Sequence, residues 1–160
     1  RRWWPLSGPG RRAEVGRTRD EVVVALAGRL DEGALVVVDY AHTRSERAGE
    51  HAAVRWRRGS LTGYVRGRRV APVPDGSMNL TAHVALDACA AALAAAAPDA
   101  EVQLSTVAGA VAGLTRQQRE TTTPPGASSL RRTALDSRWR TLADPRGWGG
   151  FGLLELRRTP

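Results

Sequence analysis

An acidic, an aromatic and an imidazole side chain follow one run of β-branched residues. The run from Ala34 to Asp39 reads Ala-Leu-Val-Val-Val-Asp, and Tyr40 and His42 come directly after it. Open α/β sheets bind ligands at the carboxyl ends of their strands, where an aspartate can hold a cofactor or accept a proton. Asp39 is therefore a candidate catalytic residue, and Tyr40 and His42 would line the rim of the same site. The alternative is that Asp39 only ends the strand and caps the next turn.

A second short segment combines an amide, a hydroxyl and an imidazole. It runs from Asn79 to Val84, reads Asn-Leu-Thr-Ala-His-Val, and precedes an alanine-rich stretch. His83 is the second candidate catalytic residue, because an imidazole exchanges protons near neutral pH. Thr81 would line the rim of the site. A lone histidine is more often structural, so the sequence leaves both interpretations of His83 open.

The histidines and the single cysteine predict no metal site. His42, His51 and His83 have spacings that match no familiar ligand pattern. With Cys89 as the only cysteine, an internal disulfide and a cysteine-based metal cluster are both excluded. Cys89 lies among alanines with no basic residue near it in sequence, which predicts a small core side chain rather than a nucleophile.

A helix is predicted from Arg17 to Leu30, ahead of the strand that carries Asp39. Thr18 or Asp20 is expected to cap its N-terminus by accepting hydrogen bonds from unpaired amides. Apolar residues recur at helical spacing and predict one core-facing side: Val22, Val23, Leu26, Ala27 and Leu30.

The strand Ala34–Asp39 has no polar alternation, so we expect both of its faces to be covered, as in a parallel sheet. Further predicted elements are loops at Thr43–His51 and Ala71–Ser77, β-segments at Ala53–Trp56 and Leu61–Val65, helices at Leu86–Ala97 and Ser129–Leu142, a linker at Thr121–Ser129, a turn at Asp144–Gly147 and a last strand at Phe151–Leu156. The stretch Val102–Leu114 fits either a helix or a strand near Val111–Leu114. These elements predict an α/β fold.

Length and composition exclude several classes of protein. The chain has 160 residues, enough for one domain, with 42% hydrophobic and 25% charged residues, as in globular proteins. The longest uncharged apolar stretch is too short to cross a bilayer, and the N-terminus lacks the apolar core of a signal peptide. We therefore expect a cytoplasmic protein without a membrane partner.

All 24 basic residues are arginine, and the net charge is +8. A GC-rich coding sequence would give the same excess, and the arginines are dispersed, so we do not expect nucleic acid as the partner. An alternative function is nonetheless an arginine-rich nucleic-acid-binding module in which Trp56 and Tyr64 stack on bases. Its phosphate contacts would come from Arg55, Arg57, Arg58, Arg66, Arg68 and Arg69. A third possibility is an inactive remnant.

Five segments, taken in order, resemble the C-terminal half of the MidA-like family of S-adenosylmethionine-dependent methyltransferases. They are Gly33–Tyr40, Leu61–Tyr64, Asn79–Val84, Thr115–Arg119 and Asp144–Leu154. The family includes a mitochondrial complex I assembly factor that methylates an arginine on a complex I subunit. Three positions depart from the family pattern: Ala41 replaces a glycine, and Asn79 and Ala85 replace aspartates.

The resemblance implies a partial Rossmann-like class I methyltransferase sheet that contains only the C-terminal strands and helices. In this interpretation residues 1–16 are an extended linker and residues 17–160 are the C-terminal part of the domain. Ala34–Asp39 would be a central strand and Phe151–Leu156 a late antiparallel strand. The implied cofactor is S-adenosylmethionine, and the implied substrate is a protein side chain such as arginine.

The resemblance also implies a dependence on sequence outside these 160 residues. The family binds its cofactor through a glycine-rich turn and an acidic residue of the N-terminal half, and the chain contains no such motif. We therefore expect weak or no binding of S-adenosylmethionine, and no activity, from these residues alone.

Overall fold

The computed structural model describes residues 12–48, 59–114 and 125–159. Five helices and eight strands follow one another in these ranges: α1 (Arg17–Ala27), β1 (Gly33–Asp39), β2 (Ala41–His42), α2 (Arg44–Ala48), β3 (Thr62–Val65), β4 (Arg68–Val70), β5 (Asn79–Thr81), β6 (Val84–Ala85), α3 (Leu86–Ala96), β7 (Glu101–Thr106), α4 (Val107–Gly113), α5 (Ser129–Ala143), and, after a 3-10 turn at Trp148–Gly150, β8 (Gly152–Arg158). The predicted β-segment Ala53–Trp56 and the segment Thr115–Arg119 lie outside the described residues. So do residues 1–11 of the predicted N-terminal linker 1–16 and residues 121–124 of the predicted linker Thr121–Ser129.

The main sheet has the strand order β1-β8-β7. The last strand, β8, lies between the other two and runs antiparallel to both, with Leu154 opposite Val37 and Leu156 opposite Val102. Since β8 is antiparallel to each neighbour, β1 and β7 run parallel to one another. The prediction of a late antiparallel strand is confirmed, and the strand extends to Arg158.

One face of this sheet packs against α1 and α3 and forms the core. Leu154 and Leu156 of β8 are fully buried there, together with Leu86 and Leu93 of α3. Burying these leucines removes apolar surface from water, which is the main force that holds the helices on the sheet. Alanines fill most of the remaining positions of α3, and their small side chains allow the helix to lie close to its neighbours.

The opposite face of β1 is not covered within the described residues. Val36 is 52% exposed and Val38 47% exposed, whereas Leu35 and Val37 pack against the core. In the described ranges β1 also has a single neighbouring strand, the antiparallel β8. Within the described residues, therefore, the expectation of a central strand in a parallel sheet with both faces covered is wrong. The cause is that the helices packed on β1 lie on one side only.

The start of α1 also differs from the prediction. The helix begins at Arg17 behind Gly16, without a side-chain cap, so Thr18 and Asp20 both lie inside it. Oδ1 of Asp20 accepts hydrogen bonds from Nη2 of Arg19 (2.7 Å) and from Sγ of Cys89 (3.2 Å). This carboxylate joins α1 to α3 instead of capping the helix.

The core-facing side of α1 is narrower than the predicted stripe. Val23 and Ala27 are buried, but Val22 is 54% exposed and Leu26 49% exposed. The helix ends at Ala27, so Leu30 lies beyond it and packs against the core from the turn. Among the described elements, α3 makes the main helix contact with α1, and it covers only a narrow strip of that helix.

One predicted loop contains a helix, and one stretch that the sequence left undecided contains both a strand and a helix. Within Thr43–His51 the short helix α2 forms behind a capping box: the amide of Thr43 donates to Oε2 of Glu46 (2.6 Å), and the amide of Glu46 donates back to Oγ1 of Thr43 (3.4 Å). The stretch Val102–Leu114 divides into a strand and a helix, β7 and α4, so a strand at Val111–Leu114 is wrong. The helices predicted at residues 86–97 and 129–142, the strand at 61–65 and the irregular segment at 71–77 are confirmed.

Two smaller sheets complete the described fold. One has the order β4-β3-β5, and its hairpin turns at Arg66 and Gly67 with φ angles of 48° and 75°, as a tight two-residue turn requires. The other is the parallel pair of β2 and β6, with Ala41 opposite Val84. No helix in the described ranges is long and apolar enough to cross a membrane.

Candidate functional site

The carboxyl end of β1 carries a cluster of aromatic rings. The ring of Tyr40 lies 4.3 Å from that of Phe151 and 6.0 Å from the imidazole of His83, and Trp148 contacts Phe151 at 5.1 Å (centroid distances). Phe151 reaches this end because Gly152, which follows it, pairs with Asp39. Tyr40 and His83 meet because β2 and β6 pair, with the amide of Val84 donating to the carbonyl of Tyr40 (2.7 Å).

Asp39 is held by a local hydrogen bond. Its Oδ1 accepts from the backbone amide of Tyr40 at 2.7 Å. This contact is the one expected if Asp39 caps the turn after the strand. It also fixes the carboxylate beside the aromatic cluster, so a structural and a functional role are compatible.

His42 is buried in a charged network rather than placed at the rim. It is 1% exposed, and its Nδ1 lies 2.8 Å from Nη1 of Arg47. Since an arginine nitrogen can only donate, Nδ1 accepts and the ring proton is on Nε2. Arg47, 3% exposed, also lies 3.4 Å from Oδ1 of Asp87, which neutralises its charge. Asp87 accepts a further hydrogen bond from the amide of Arg44, so it connects the start of α3 to α2.

Burial sets the protonation state of His42. Loss of solvent is the largest cause that lowers the pKa of its imidazole below the usual 6.5, and the positive charge of Arg47 lowers it further. The same loss of solvent lowers the pKa of Arg47, while Asp87 raises it. His42 is thus a neutral imidazole in this fold, and its ring lies 6.3 Å from that of His83.

Glu14 fixes the position of His83 through Ser60. Oε1 of Glu14 accepts hydrogen bonds from the amides of Ser60 (2.6 Å) and Leu61 (3.1 Å). Oγ of Ser60 then accepts from the amide of His83 at 2.8 Å and donates to its carbonyl at 3.3 Å. The backbone of His83 is therefore held at both polar groups by a side chain that Glu14 itself orients.

The remaining predicted residues that the structure describes lie on the sheet formed by β3, β4 and β5. Thr81 is half-buried on β5, opposite Thr62 of β3 and two residues before His83. Three of the six arginines proposed for nucleic-acid binding lie within the described residues. Arg66, Arg68 and Arg69 are exposed on the hairpin of β3 and β4, whereas Arg55, Arg57 and Arg58 lie outside the described residues.

Three glycines allow the segment around Phe151 to lie very close to neighbouring parts of the chain. A Cβ at Gly149 would lie 2.6 Å from the carbonyl oxygens of Leu142 and Asp144, and one at Gly150 would overlap the carbonyl of Pro145. A Cβ at Gly152 would overlap that of Ala41. Contacts this short do not occur between real atoms, so the glycine-rich segment before β8 is required by packing.

Sequence reasoning missed four residues that form this site: Glu14, Ser60, Trp148 and Phe151. Phe151 and Trp148 could have been found, because they flank glycines directly before the last predicted strand. Glu14 and Ser60 had no signal, since 46 residues separate them.

Cys89 is the core residue that its surroundings predicted. It is 1% exposed, and burial raises the pKa of its thiol to about 11. Arg19 lies close enough to oppose that shift, so the sequence-based statement that no basic group is nearby is wrong in three dimensions. Within the described part of the chain, no group of three or more His, Cys, Asp or Glu side chains is arranged to hold a metal ion.

A family model described as "Putative S-adenosyl-L-methionine-dependent methyltransferase" matches residues 2–103. This range contains the strand that ends at Asp39 and the segment that contains His83. No curated protein matches the chain.

Solved structures from Burkholderia thailandensis share the fold. One is described as a "likely methyl transferase" bound to S-adenosyl-homocysteine, and it matches with a TM-score of 0.63 at 19% sequence identity. The match covers 93% of this chain and 38% of the chain in that structure. A second, described as uncharacterized, matches with a TM-score of 0.61 at 16% sequence identity. That match covers 94% of this chain and 41% of the chain in the second structure. The chain thus spans about two fifths of the length of these structures. Its fold is a partial methyltransferase fold of the α/β class.

Proposed function

This chain belongs to the family of S-adenosyl-L-methionine-dependent methyltransferases that its sequence matches, and we propose that it forms the C-terminal part of a MidA-like member acting on a protein side chain. The proposed acceptor is arginine, and the proposed compartment is the cytoplasm. The observation that carries the proposal is that Tyr40 and His83 lie next to each other, beside Asp39, at the carboxyl end of β1. This is the end at which α/β sheets hold their ligands.

The residues at this end fit one wall of a cofactor site. S-adenosyl-L-methionine carries a flat adenine and a positively charged sulfonium, and when bound it supplies an electrophilic methyl group. The face of Tyr40, which is 50% exposed, suits either group, and the carboxylate of Asp39 suits a positive charge. His42 lies too deep for such a contact and would act by holding α2 and the chain around Tyr40 in place.

Asp39 and His83 are the proposed catalytic residues. An acceptor nitrogen must lose a proton as it gains a methyl group, and a carboxylate or a neutral imidazole beside it can take that proton. Methyl transfer depends chiefly on alignment of the two reacting groups. The fixed backbone of His83, held by Ser60, supplies such alignment on this side of the site. Tyr40 and Thr81 would line the acceptor path.

We further propose that cofactor binding needs more of the sheet than these residues provide. Within the described ranges β1 has an open edge and an exposed Val36 and Val38, and the structure solved with S-adenosyl-homocysteine is more than twice as long. Additional strands would pair with the open edge of β1, and helices packed on the exposed face would cover Val36 and Val38, which together would complete the cofactor site. Calorimetric titration of the 160-residue chain should give weak or no binding of S-adenosyl-L-methionine. Micromolar affinity would contradict this part of the proposal.

The catalytic assignment is tested in a protein that contains the whole methyltransferase sheet. Transfer of a labelled methyl group to arginine peptides should fall at least about tenfold in Asp39→Asn and in His83→Ala. Asp75→Asn is the matched control, because this exposed carboxylate is bonded to Ser77 in the irregular segment before β5. Unchanged turnover in both site variants would remove these residues from the mechanism, and absence of any transfer would overturn the proposed function.

Nucleic-acid binding is the second candidate, and one observation favours it. Arg66, Arg68 and Arg69 are exposed together on one hairpin, next to Tyr64, which is 38% exposed. Oligonucleotide binding that weakens steeply with salt, and that the triple alanine variant of these arginines abolishes, would support this candidate. Binding that does not change with salt would exclude it.

A further inference from the structure

Tyr40 and Trp148 expose two aromatic rings beside the candidate catalytic residues. Trp148 is 60% exposed and Tyr40 50% exposed, although both belong to a cluster centred on Phe151. The ring contacts that the structure gives them are with Phe151 and, for Tyr40, also with His83. Each ring therefore uses part of its surface to hold the cluster together and presents the rest to solvent.

Packing fixes the position of both rings. Gly149 and Gly150, which follow Trp148, lie so close to carbonyl oxygens of residues 142–145 that they admit no side chain. The amide of Phe151 donates to the carbonyl of Trp148 (3.1 Å), which closes the 3-10 turn. Tyr40 is held by its carbonyl, which accepts from Val84. The two rings form a preorganised surface, and less entropy is lost when a ligand binds to it.

The chain segment that carries each ring also carries a carboxylate. Asp39 precedes Tyr40 and accepts the amide hydrogen bond from it. Near Trp148, a Cβ at Gly147 would lie 3.9 Å from Oδ2 of Asp144. Oδ1 of Asp144 accepts from the amide of Arg146, so one exposed cation is also nearby. Aromatic faces bordered by carboxylates attract a cation, because the ring quadrupole and the negative charges act in the same direction.

We propose that Tyr40, Phe151 and Trp148 form a subsite for the cationic side chain of a peptide, with the guanidinium of arginine as the group of best shape. This inference rests on the proposed function, since it names the surface that would receive the acceptor. Arginine fits better than lysine because its planar guanidinium stacks on aromatic rings. Trp148 and Tyr40 would be residues that determine specificity, whereas Phe151 holds the two rings apart.

The test compares a cation with a neutral group of the same shape. The 160-residue chain is titrated with the peptide Gly-Arg-Gly and with the same peptide carrying citrulline, and the indole N–H signals are followed by NMR. The Trp148 signal is assigned by its loss in Trp148→Phe. We expect the arginine peptide to shift it and to bind at least about fivefold more tightly than the citrulline peptide. The indole of Trp139, on α5, is the internal reference.

Ring-keeping and ring-removing variants separate stacking from general charge attraction. Tyr40→Phe and Trp148→Phe should keep the preference for arginine, whereas Tyr40→Leu and Trp148→Leu should weaken arginine binding by about threefold to tenfold. Binding to the Trp148 variants, which lack the reporting indole, is followed through the backbone amide signals. Trp148→Leu remains informative if Tyr40→Leu fails to fold, because Trp148 is more exposed. Equal affinity for the two peptides, or unchanged affinity in folded Trp148→Leu, would overturn the subsite. If methyl transfer to arginine peptides still occurs when either of these outcomes is found, the subsite is rejected and the proposed function is not.

Discussion

Arg47 donates a hydrogen bond of 2.8 Å from Nη1 to Nδ1 of His42, and both side chains are buried. The bond fixes the tautomer of His42 and places a positive charge against its ring. Both effects oppose protonation, so the pair requires a neutral imidazole. It also connects β2 to α2 directly behind Tyr40, at the candidate site.

The stability of the fold should therefore fall in acid because of His42. Its pKa is lowered by burial, so the unfolded state binds a proton below about pH 6.5 that the folded state does not. The contribution to the free energy of unfolding is complete above pH 6.5 and decreases, by at most about 1.4 kcal/mol per pH unit, until the lowered pKa is reached. Urea denaturation between pH 5 and 8 measures it. The variant His42→Gln should show a flatter profile over this window, and parallel profiles would contradict the assignment.

Removing Asp87 should leave a buried charge on Arg47. We expect Asp87→Ala to lower the free energy of unfolding by about 3 kcal/mol, because the guanidinium loses the carboxylate 3.4 Å away. In a chain that already carries Arg47→Met, Asp87→Ala should lower the free energy of unfolding much less, since no charge then remains unpaired. A double-mutant cycle measured by denaturation tests this coupling. Strictly additive effects would show that the pair does not interact.

Glu14 should control the protection of amides that surround His83. In Glu14→Ala the amides of Ser60 and Leu61 lose a charged acceptor, at a cost of about 2–3 kcal/mol, and the amide of His83 should exchange faster with solvent. Hydrogen exchange followed by NMR is the measurement. Glu21→Ala removes an exposed carboxylate bonded to Arg17 and should leave these amides protected. Glu14→Gln retains an acceptor oxygen, so its amide exchange rates should lie between those of Glu14→Ala and Glu21→Ala.

Gly152→Ala should destabilise the start of β8, and a second substitution should repair it. The added methyl group would overlap Cβ of Ala41 and lie 2.6 Å from Cδ1 of Leu86. We expect a loss of about 2–3 kcal/mol, most of it recovered by Ala41→Gly, which restores the glycine of the resembling family at this position. Gly113→Ala is the control, because nothing lies within 4 Å of the added atom. Thermal unfolding of these three variants, each compared with the unsubstituted chain, measures the loss and its recovery.

Cys89 should resist alkylation in the folded protein. With its thiol pKa raised to about 11 by burial, little thiolate exists at pH 8. Iodoacetamide should label it at a measurable rate only after unfolding in urea. Fast labelling under native conditions would show that α1 opens from α3, since Asp20 and Cys89 join these helices.

The sequence by itself determined several of the elements and their order. Alanine content predicted α3, the β-branched run predicted β1, and closely spaced glycines predicted the turn into β8, because each property acts on the backbone locally. The same local patterns placed Asp39 and Tyr40 at the end of a strand. The one-dimensional order of motifs was also enough to indicate the methyltransferase family that the comparison then showed.

Only the tertiary structure decided which face of β1 is covered and which residues meet at its end. Valine is a residue type that is usually buried, yet Val36 and Val38 are exposed, because their burial depends on whether a helix packs on that face of β1. His83 stands beside Tyr40 because two short strands pair, and Glu14 orients Ser60 across 46 residues of chain. Contacts of this kind depend on the packing of whole elements, and no local pattern of side chains encodes them.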